Sequence, residues 1–384
     1  MKAAPLPRVG VLGAGQLGKM LAIAAAPLHL PLSALDARRD MPAVPYLSAF
    51  TEGNFNDYDD VLAFGRTVDL LTIEIEHVNV DALRQLEREG LPVHPRPGAL
   101  ATIQDKGLQK QFYEANDLPT APFQLWADGA EVRRALSDGL LHYPFVQKSR
   151  TAGYDGKGVA LIREAGQLDR LLDGPCLTEP LVPFAKELAV IAARRPSGQV
   201  TTYPAVEMIF HPTANLVEQL SCPARIDPAV ETAARALAAR TVEAFDICGL
   251  LAVEMFLTDT GELLINEVAP RPHNSGHQTI ESCPTSQFEQ HLRAILDWPL
   301  GDTTPHAPSV MVNLLGAAEH TGPVRYEGLT DCLALPGAHL HLYGKSVTKP
   351  MRKMGHATVV HSDAEAATRL AQQVKNTLRI TSSS

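Results

Sequence analysis

The chain has 384 residues, 45% hydrophobic and 20% charged, with 34 Lys and Arg against 43 Asp and Glu for a formal charge of −9. That length predicts two or three folded parts with ample core. The acidic balance argues against a nucleic-acid binder, whose surface is ordinarily basic, so a phosphate ligand must be met locally by a few cations and helix N-termini.

Taken in chain order, RVGVLG, QLGKMLAIAAAPL, LPLSALD and VDLLTIEIEHV read as strand, helix, strand and strand, the alternation of a parallel α/β sheet. A proline-rich hinge, LPVHPRPGAL, marks a boundary near Pro97. Beyond it TIQDKGLQKQFYEAND reads as one helix and LPTAPFQLW as extended chain. PFVQKSR, VALI, CLTEPLV, KELAVIAARR and VTTYPAVEMIF read as strands, and Ala229–Phe245 as an alanine-rich helix. GLLAVEMFLTDTGELLINEVAPRP predicts two strands joined by a turn at Asp259–Gly261, and QFEQHLRAILDWPL a helix stopped by Pro299. From Pro308 a compact C-terminal unit holds MVNLLG, HLHLYGK, HATVV and the helix AEAATRLAQQVKNTL, with the final TSSS expected to fray. Five scattered cysteines without a C-x-x-C pair exclude a disulfide framework or zinc site and fit a reducing cytoplasm. Lys19, Pro27 and His29 interrupt the one long apolar stretch, so no membrane span is expected.

Gly13, Gly15 and Gly18 form G-x-G-x-x-G between a strand and a helix, with Asp36 18 residues further on at the end of a second strand. A dinucleotide, another phosphate, or a purely structural turn each satisfies that loop. A second glycine-rich loop, KSRTAGYDGKGV, follows Lys148, and its lysines could neutralise a triphosphate, although D-G alone also signals a surface turn. Glu179 and Glu187 are candidate grips for ribose hydroxyls or an adenine amine, or are exposed loop carboxylates. Glu254 and Glu267 sit inside otherwise apolar strands on neighbouring runs. Carboxylates so placed must be paired or metal-bound, and magnesium on a polyphosphate is the sharper reading, with Asn266 completing its shell. Arg271, His273, Asn274 and His277 crowd the loop that follows, without zinc-ligand spacing, and suit an anion or carbonyl-bearing substrate. Lys345, Lys349, Arg352 and Lys353 lie within nine positions and read as an anion grip against the alternative of a solvated face.

The ordered series GAGQLG, EIEHV, KSRTAGYDGKG, EPLV…KE, AVEMFL, NEVAPRPHNSGH and YGK…RKMGH resembles the N5-carboxyaminoimidazole ribonucleotide synthetases, ATP-grasp carboxylases of purine synthesis. The resemblance runs from about Val9 to His356. It implies an ATP-grasp fold, α/β and α+β, with a Rossmann-like parallel-sheet domain (1–98). An ATP-grasp domain (99–300, lid about 122–182) and a small β-rich domain (301–384) would follow. It implies ATP contacts from Lys106, Lys148, Gly153, Tyr154, Asp155, Gly156, Lys157, Gly158 and Val159. Further contacts would come from Glu179, Pro180, Leu181, Val182, Glu187, His211, Asn266 and Glu267, and magnesium would sit on Glu254 and Glu267. The phosphate and ribose of aminoimidazole ribonucleotide fall to Gly15, Gln16, Leu17, Glu76, Asn274, Lys345 and Arg352. Tyr154, Asp155, Arg271, His273 and Lys353 would surround the reacting atoms. Bicarbonate is activated by ATP as carboxyphosphate, and the amine captures it. A homodimer, cytoplasmic and free of nucleic acid or membrane, is implied, with transient contact to the mutase that uses the product. The chain departs from the family pattern at Lys106 and Lys349, where Arg is usual, at Val159, where Gln is common, and near His211, where MIFHPTANL is one residue longer. A nicotinamide oxidoreductase would explain the first loop but leave Glu254 and Glu267 idle, and a nucleotide sensor would not need Arg271 and His273.

Overall fold

A computed structural model describes residues 5–151, 158–210 and 216–383. The N-terminal part carries β1 (Val9–Leu12), α1 (Gln16–Ala25), β2 (Leu32–Asp36), β3 (Ala49–Glu52), α2 (Tyr58–Gly65), β4 (Leu70–Ile73), α3 (Val80–Arg88) and β5 (Val93–His94). These strands form a parallel sheet in the order β3-β2-β1-β4-β5. Strand order reverses between β1 and β4, and the crevice outside the carboxyl ends of strands at such a switch point is where open α/β sheets bind ligands. Every residue of β1 and β4 is buried, as expected of strands covered on both faces.

The expected single helix after the hinge is two, α4 (Pro97–Ile103) and α5 (Lys106–Ala115). Asp105 causes the break. Its carboxylate accepts from the amides of Gly107 and Leu108 as the cap of α5, because Asp bonds backbone more favourably at a helix start than inside one. A four-stranded antiparallel sheet follows, made of β6 (Gln124–Trp126), β7 (Phe145–Ser149), β8 (Val159–Ile162) and β9 (Cys176–Pro180) in the order β6-β9-β7-β8. The helix α6 (Gly129–Ser137) lies between its first two strands in the chain and supplies Val132 to its core.

The central sheet starts with β10 (Phe184–Arg194), β11 (Val200–Thr202), β12 (Val206–Phe210) and β13 (Val217–Cys222). VTTYPAVEMIF thus gives two strands rather than one, since Pro204 has no amide to donate to a ladder. After α7 (Pro228–Ala244) come β14 (Gly249–Thr258) and β15 (Leu263–Ala269), turned at Gly261, whose φ of +85° suits glycine. The chain continues through α8 (Thr279–Ser282) and α9 (Gln287–Ile295) into β16 (Ser309–Leu315), β17 (Gly322–Glu327), α10 (Leu329–Leu333) and β18 (Ala338–Leu342). It finishes with β19 (Val347–Thr348), β20 (Lys353–Val360), α11 (Ala364–Thr377) and β21 (Arg379–Ser382). One sheet, in the order β15-β14-β10-β12-β13-β16-β20-β18, with β11 on β10, unites the central and C-terminal strands. Its joint is the antiparallel pair β13–β16, in register at Leu220 and Met311.

The end of the chain departs from expectation. Residues 379–382 are not frayed: Ile380 pairs with Tyr326 across β17 and accepts from the amide of Ala317. Ile380 is 1% exposed and belongs to the same buried core as Val374, Ala371 and Met354. Ile380→Ala should therefore cost about 2–4 kcal/mol, seen as a lower urea midpoint at unchanged m-value. An unaltered midpoint would mean that the strand is not held.

Candidate functional site

A cleft of about 710 Å³ opens between the carboxyl ends of β1 and β4 and the β14–β15 hairpin, within the usual range of small-molecule sites. The N-terminal part lines it with Gly15, Gln16, Leu17, Glu74 and Glu76, and α5 adds Lys106. The hairpin contributes Glu254 and Glu267, the loop after it Arg271, His273, Asn274 and His277, and the C-terminal part Lys353. Residues separated by some 340 positions in the chain thus share one hollow.

Glu254 and Glu267 are directly opposed across the hairpin, with a register shift immediately after Glu254. Two like charges facing each other would repel, and the surroundings respond. Lys106 bonds the Glu267 carboxylate, and its charge holds that group down to about pH 2. Burial, then Glu267, then Glu187 push the Glu254 carboxyl up to about 8. His273 Nε2 lies 3.6 Å from the Glu254 carboxylate. Behind this pair stands a second cluster. Glu179, 4% exposed, is engaged by both Lys110 and Lys148, the latter at 2.6 Å. Burial opposes its ionisation, but the two lysines outweigh that and keep it below the ordinary carboxylate range. Lys148 also donates to Asn266 Oδ1 at 2.9 Å. Burial lowers Lys110 to about 8.

The glycine loop is built differently from a dinucleotide cradle. Glu74 follows β4, and its carboxylate accepts from the amides of Gly15 and Gly18. Asp36, which a dinucleotide cradle would keep for a ribose, accepts from Ala14 and Ala37 amides at 2.7 and 2.6 Å. Both acids are spent on the protein's own backbone. The nicotinamide reading loses its two anchors.

The anion-grip residues are placed as follows. Arg271 pairs with Glu76 at 2.7 Å, and the side-chain amides of Asn274 and Asn313 exchange bonds of 2.9 and 3.0 Å. Lys345 donates to the Lys353 carbonyl at 2.8 Å and sits over the Tyr343 ring, while Arg352 donates to the Val347 carbonyl. Gly158 leads into β8 with φ +74°, Val159 is 37% exposed, and Leu181 donates to the Pro144 carbonyl beside Pro180 and Val182. Gly153, Tyr154, Asp155, Gly156, Lys157 and His211 lie outside the described residues. The Glu179 carboxylate, read as a ribose or adenine grip or an exposed loop acid, is buried and faces two lysines, because a buried acid must be paired. Two residues escaped the sequence reading, Glu74 and Lys110. The alternation in TIEIEH and the i, i+4 spacing of Lys106 and Lys110 on one helix face were the available signals.

Three family models match the chain: a ribonucleotide synthetase preATP-grasp domain over residues 6–104, an ATP-grasp domain over 111–288, and a phosphoribosylaminoimidazole carboxylase C-terminal domain over 309–370. The N5-carboxyaminoimidazole ribonucleotide synthase of Synechococcus elongatus is 40% identical over 97% of this chain and 94% of its own length. The chain belongs to that family. Its fold is the ATP-grasp fold. A crystal structure of N5-carboxyaminoimidazole ribonucleotide synthetase from Thermotoga maritima superposes with a TM-score of 0.90 at 39% identity, covering 98% of this chain and all of that one. The Aspergillus clavatus synthase, in complex with ADP and 5-aminoimidazole ribonucleotide, gives a TM-score of 0.88 at 34% identity over 97% and 98% of the two chains. The phosphoribosylaminoimidazole carboxylase of Saccharomyces cerevisiae is 39% identical over 94% of this chain, which spans 65% of that longer protein. No helix among the described residues is long and apolar enough to cross a membrane.

The site's electrostatics carry a pH prediction at Glu187. Burial raises its carboxyl to about 7 against an ordinary 4.5, so between those values the folded chain keeps a proton the unfolded chain has released. Stability must fall as pH rises through that window. Glu187→Gln removes the loss, so the stability gap between variant and ligand-free wild type should widen from pH 4.5 to 7 by about 1–3 kcal/mol and then level off. Urea titrations at pH 5 and 8 giving equal gaps would refute this.

Proposed function

We propose that the chain is an ATP-dependent carbon–nitrogen ligase. It joins bicarbonate to the exocyclic amine of 5-aminoimidazole ribonucleotide, giving N5-carboxyaminoimidazole ribonucleotide, ADP and phosphate. The observation that carries this reading is the opposed Glu254–Glu267 pair, in one cleft with Lys106 and the glycine loop. A carboxyl driven up to about 8 beside a second carboxylate marks a place short of positive charge. Among the described residues no group of three His, Cys, Asp or Glu could hold a metal alone. Two carboxylates needing phosphate oxygens to finish the shell suit magnesium on a polyphosphate. Glu254 and Glu267 would hold that ion, with Asn266 beside them, and its contribution when bound is to neutralise charge on the phosphates.

The chain's own side chains then have separable tasks. Lys148, aimed by Glu179 and Asn266, and Lys106 stabilise the negative charge that develops as a bicarbonate oxygen attacks the γ-phosphorus and ADP leaves. Carboxyphosphate forms. The amine nitrogen then attacks its carbon, phosphate departs and the amine gives up a proton. Arg271 and His273, with Lys353, line that second step, and Tyr154 and Asp155 would join them in excluding water from an intermediate that hydrolyses. The other residues of the 153–159 loop, Glu179 to Val182, Glu187 and His211 would complete the ATP contacts. Gln16, Leu17, Glu76, Asn274, Lys345 and Arg352 would hold the ribonucleotide. We take the chain as three parts divided near 98 and 300, assembled as a cytoplasmic homodimer whose five buried thiols need no oxidant and which hands its product to a mutase.

Phosphate release from ATP should require bicarbonate, ribonucleotide and magnesium together, and chelation should abolish it. Glu267→Gln should lower turnover by roughly 10³-fold with far-UV circular dichroism unchanged; full turnover would remove the carboxylate from the mechanism. Arg352→Ala should raise KM for the ribonucleotide about tenfold or more and leave KM for ATP nearly unmoved. Equal effects on both would reassign that arginine.

A further inference from the structure

The three glycines of the opening loop are shaped around a side chain of the protein itself. Glu74 is 9% exposed and stands at the carboxyl end of β4, next to the start of α1. A Cβ added at Gly13 would come 2.5 Å from Glu74 Cγ, at Gly15 2.8 Å from its Oε1, and at Gly18 3.2 Å from its Oε2. Gly13 also needs φ +101°. The carboxylate receives the amides of Gly15 and Gly18. Those are the cap and third positions of α1, which has no side-chain cap of its own.

The first helical amides have no partner inside the helix. Glu74 takes the outer two of four and leaves the two between, those of Gln16 and Leu17, both of which line the cleft. A pyrophosphate spread over the whole loop would meet the carboxylate. A single phosphate on Gln16 and Leu17 needs neither of the amides that Glu74 holds, and the positive end of the helix still favours it. Lys19 holds the far side of α1 by donating to the Leu342 carbonyl at 2.8 Å, and Asp36 fixes the loop from below through Ala14.

We propose that Glu74 is a positioning and specificity residue: it fills most of the glycine cradle with the protein's own carboxylate and confines a sugar phosphate to the Gln16 and Leu17 amides. The inference rests on the reading above that this loop receives the ribonucleotide's 5′-phosphate. Glu74 touches no reacting atom and acts through the loop.

Glu74→Gln keeps the shape but turns one acceptor into a donor facing a backbone amide, while Glu74→Asp keeps the charge one methylene short. KM for the ribonucleotide should rise about tenfold or more in the Gln variant and less in the Asp variant, with kcat and KM for ATP within about twofold of wild type. A parallel rise in both KM values, or no rise in either, overturns the inference. If the Gln variant does not fold, the same split in the Asp variant decides. Calorimetric titration of ribose 5-phosphate provides a readout independent of turnover. Wild type should bind it and the variants about tenfold more weakly; equal affinities, or no binding by wild type, overturn the inference. A wild type that binds ribose 5-phosphate but does not turn over the ribonucleotide sinks the proposed reaction alone.

Discussion

The site depends on a balance of charge that runs from the open Glu267 to the buried Glu179. Glu179, Glu254 and Glu267 are met by Lys106, Lys110 and Lys148, drawn from β9, β14, β15, α5 and β7. An unpaired charge in such a place is costly enough to displace its own pKa before it unfolds the chain, and Glu254 behaves in this way. The cluster is therefore both a constraint on the fold and a readiness to accept a cation. Lys110 and Glu179 are wholly internal and do the structural half of that work. Glu254 and Glu267 face the cleft and do the rest.

Around that balance the fold supplies two supports. The parallel sheet brings the amino end of α1 to the crevice where strand order reverses. The long central sheet runs through β13 and β16 to β20, so that Lys353, at the first position of β20, reaches the same hollow as β14 and β15. A stack of aromatic rings secures this return. His277 and His341 each lie 4.5 Å from His356, and Tyr343 Oη bonds His356 Nδ1 at 3.2 Å. Burial drives His277 and His356 well below the ordinary histidine value, which keeps them neutral within the stack. His277 belongs to that support as well as to the lining of the cleft.

The glycine motif illustrates how one pattern serves different ends. Glycine permits close approach without dictating what approaches. Here the approaching groups are Glu74 and Asp36, so the loop most suggestive of a dinucleotide is closed to one by internal acids. The assignment of the chain's chemistry therefore came from the carboxylate pair and the cation sets.

By itself the sequence determined the strands and helices whose apolar period was long and uninterrupted, such as β10, α7, the β14–β15 hairpin and α11, and the ordered motifs that mark the family. It also placed Glu254 and Glu267 on adjoining strands, since a tight turn between two apolar runs leaves little freedom in register. It did not reveal that Asp105 divides a helix or that residues 379–382 form a strand. Nor did it show that Glu179 faces lysines, or that Glu74 occupies the glycine loop. The first is a local cap, Asp105 on the amides of Gly107 and Leu108; the others turn on a partner distant in the chain: β17 for β21, Lys110 and Lys148 for Glu179, and Gly15 and Gly18 for Glu74. Local periodicity reports which face of an element is buried. Only tertiary structure decides what a polar group on that face finds opposite it, because desolvation makes the choice of partner, rather than the residue's own propensity, the larger energy.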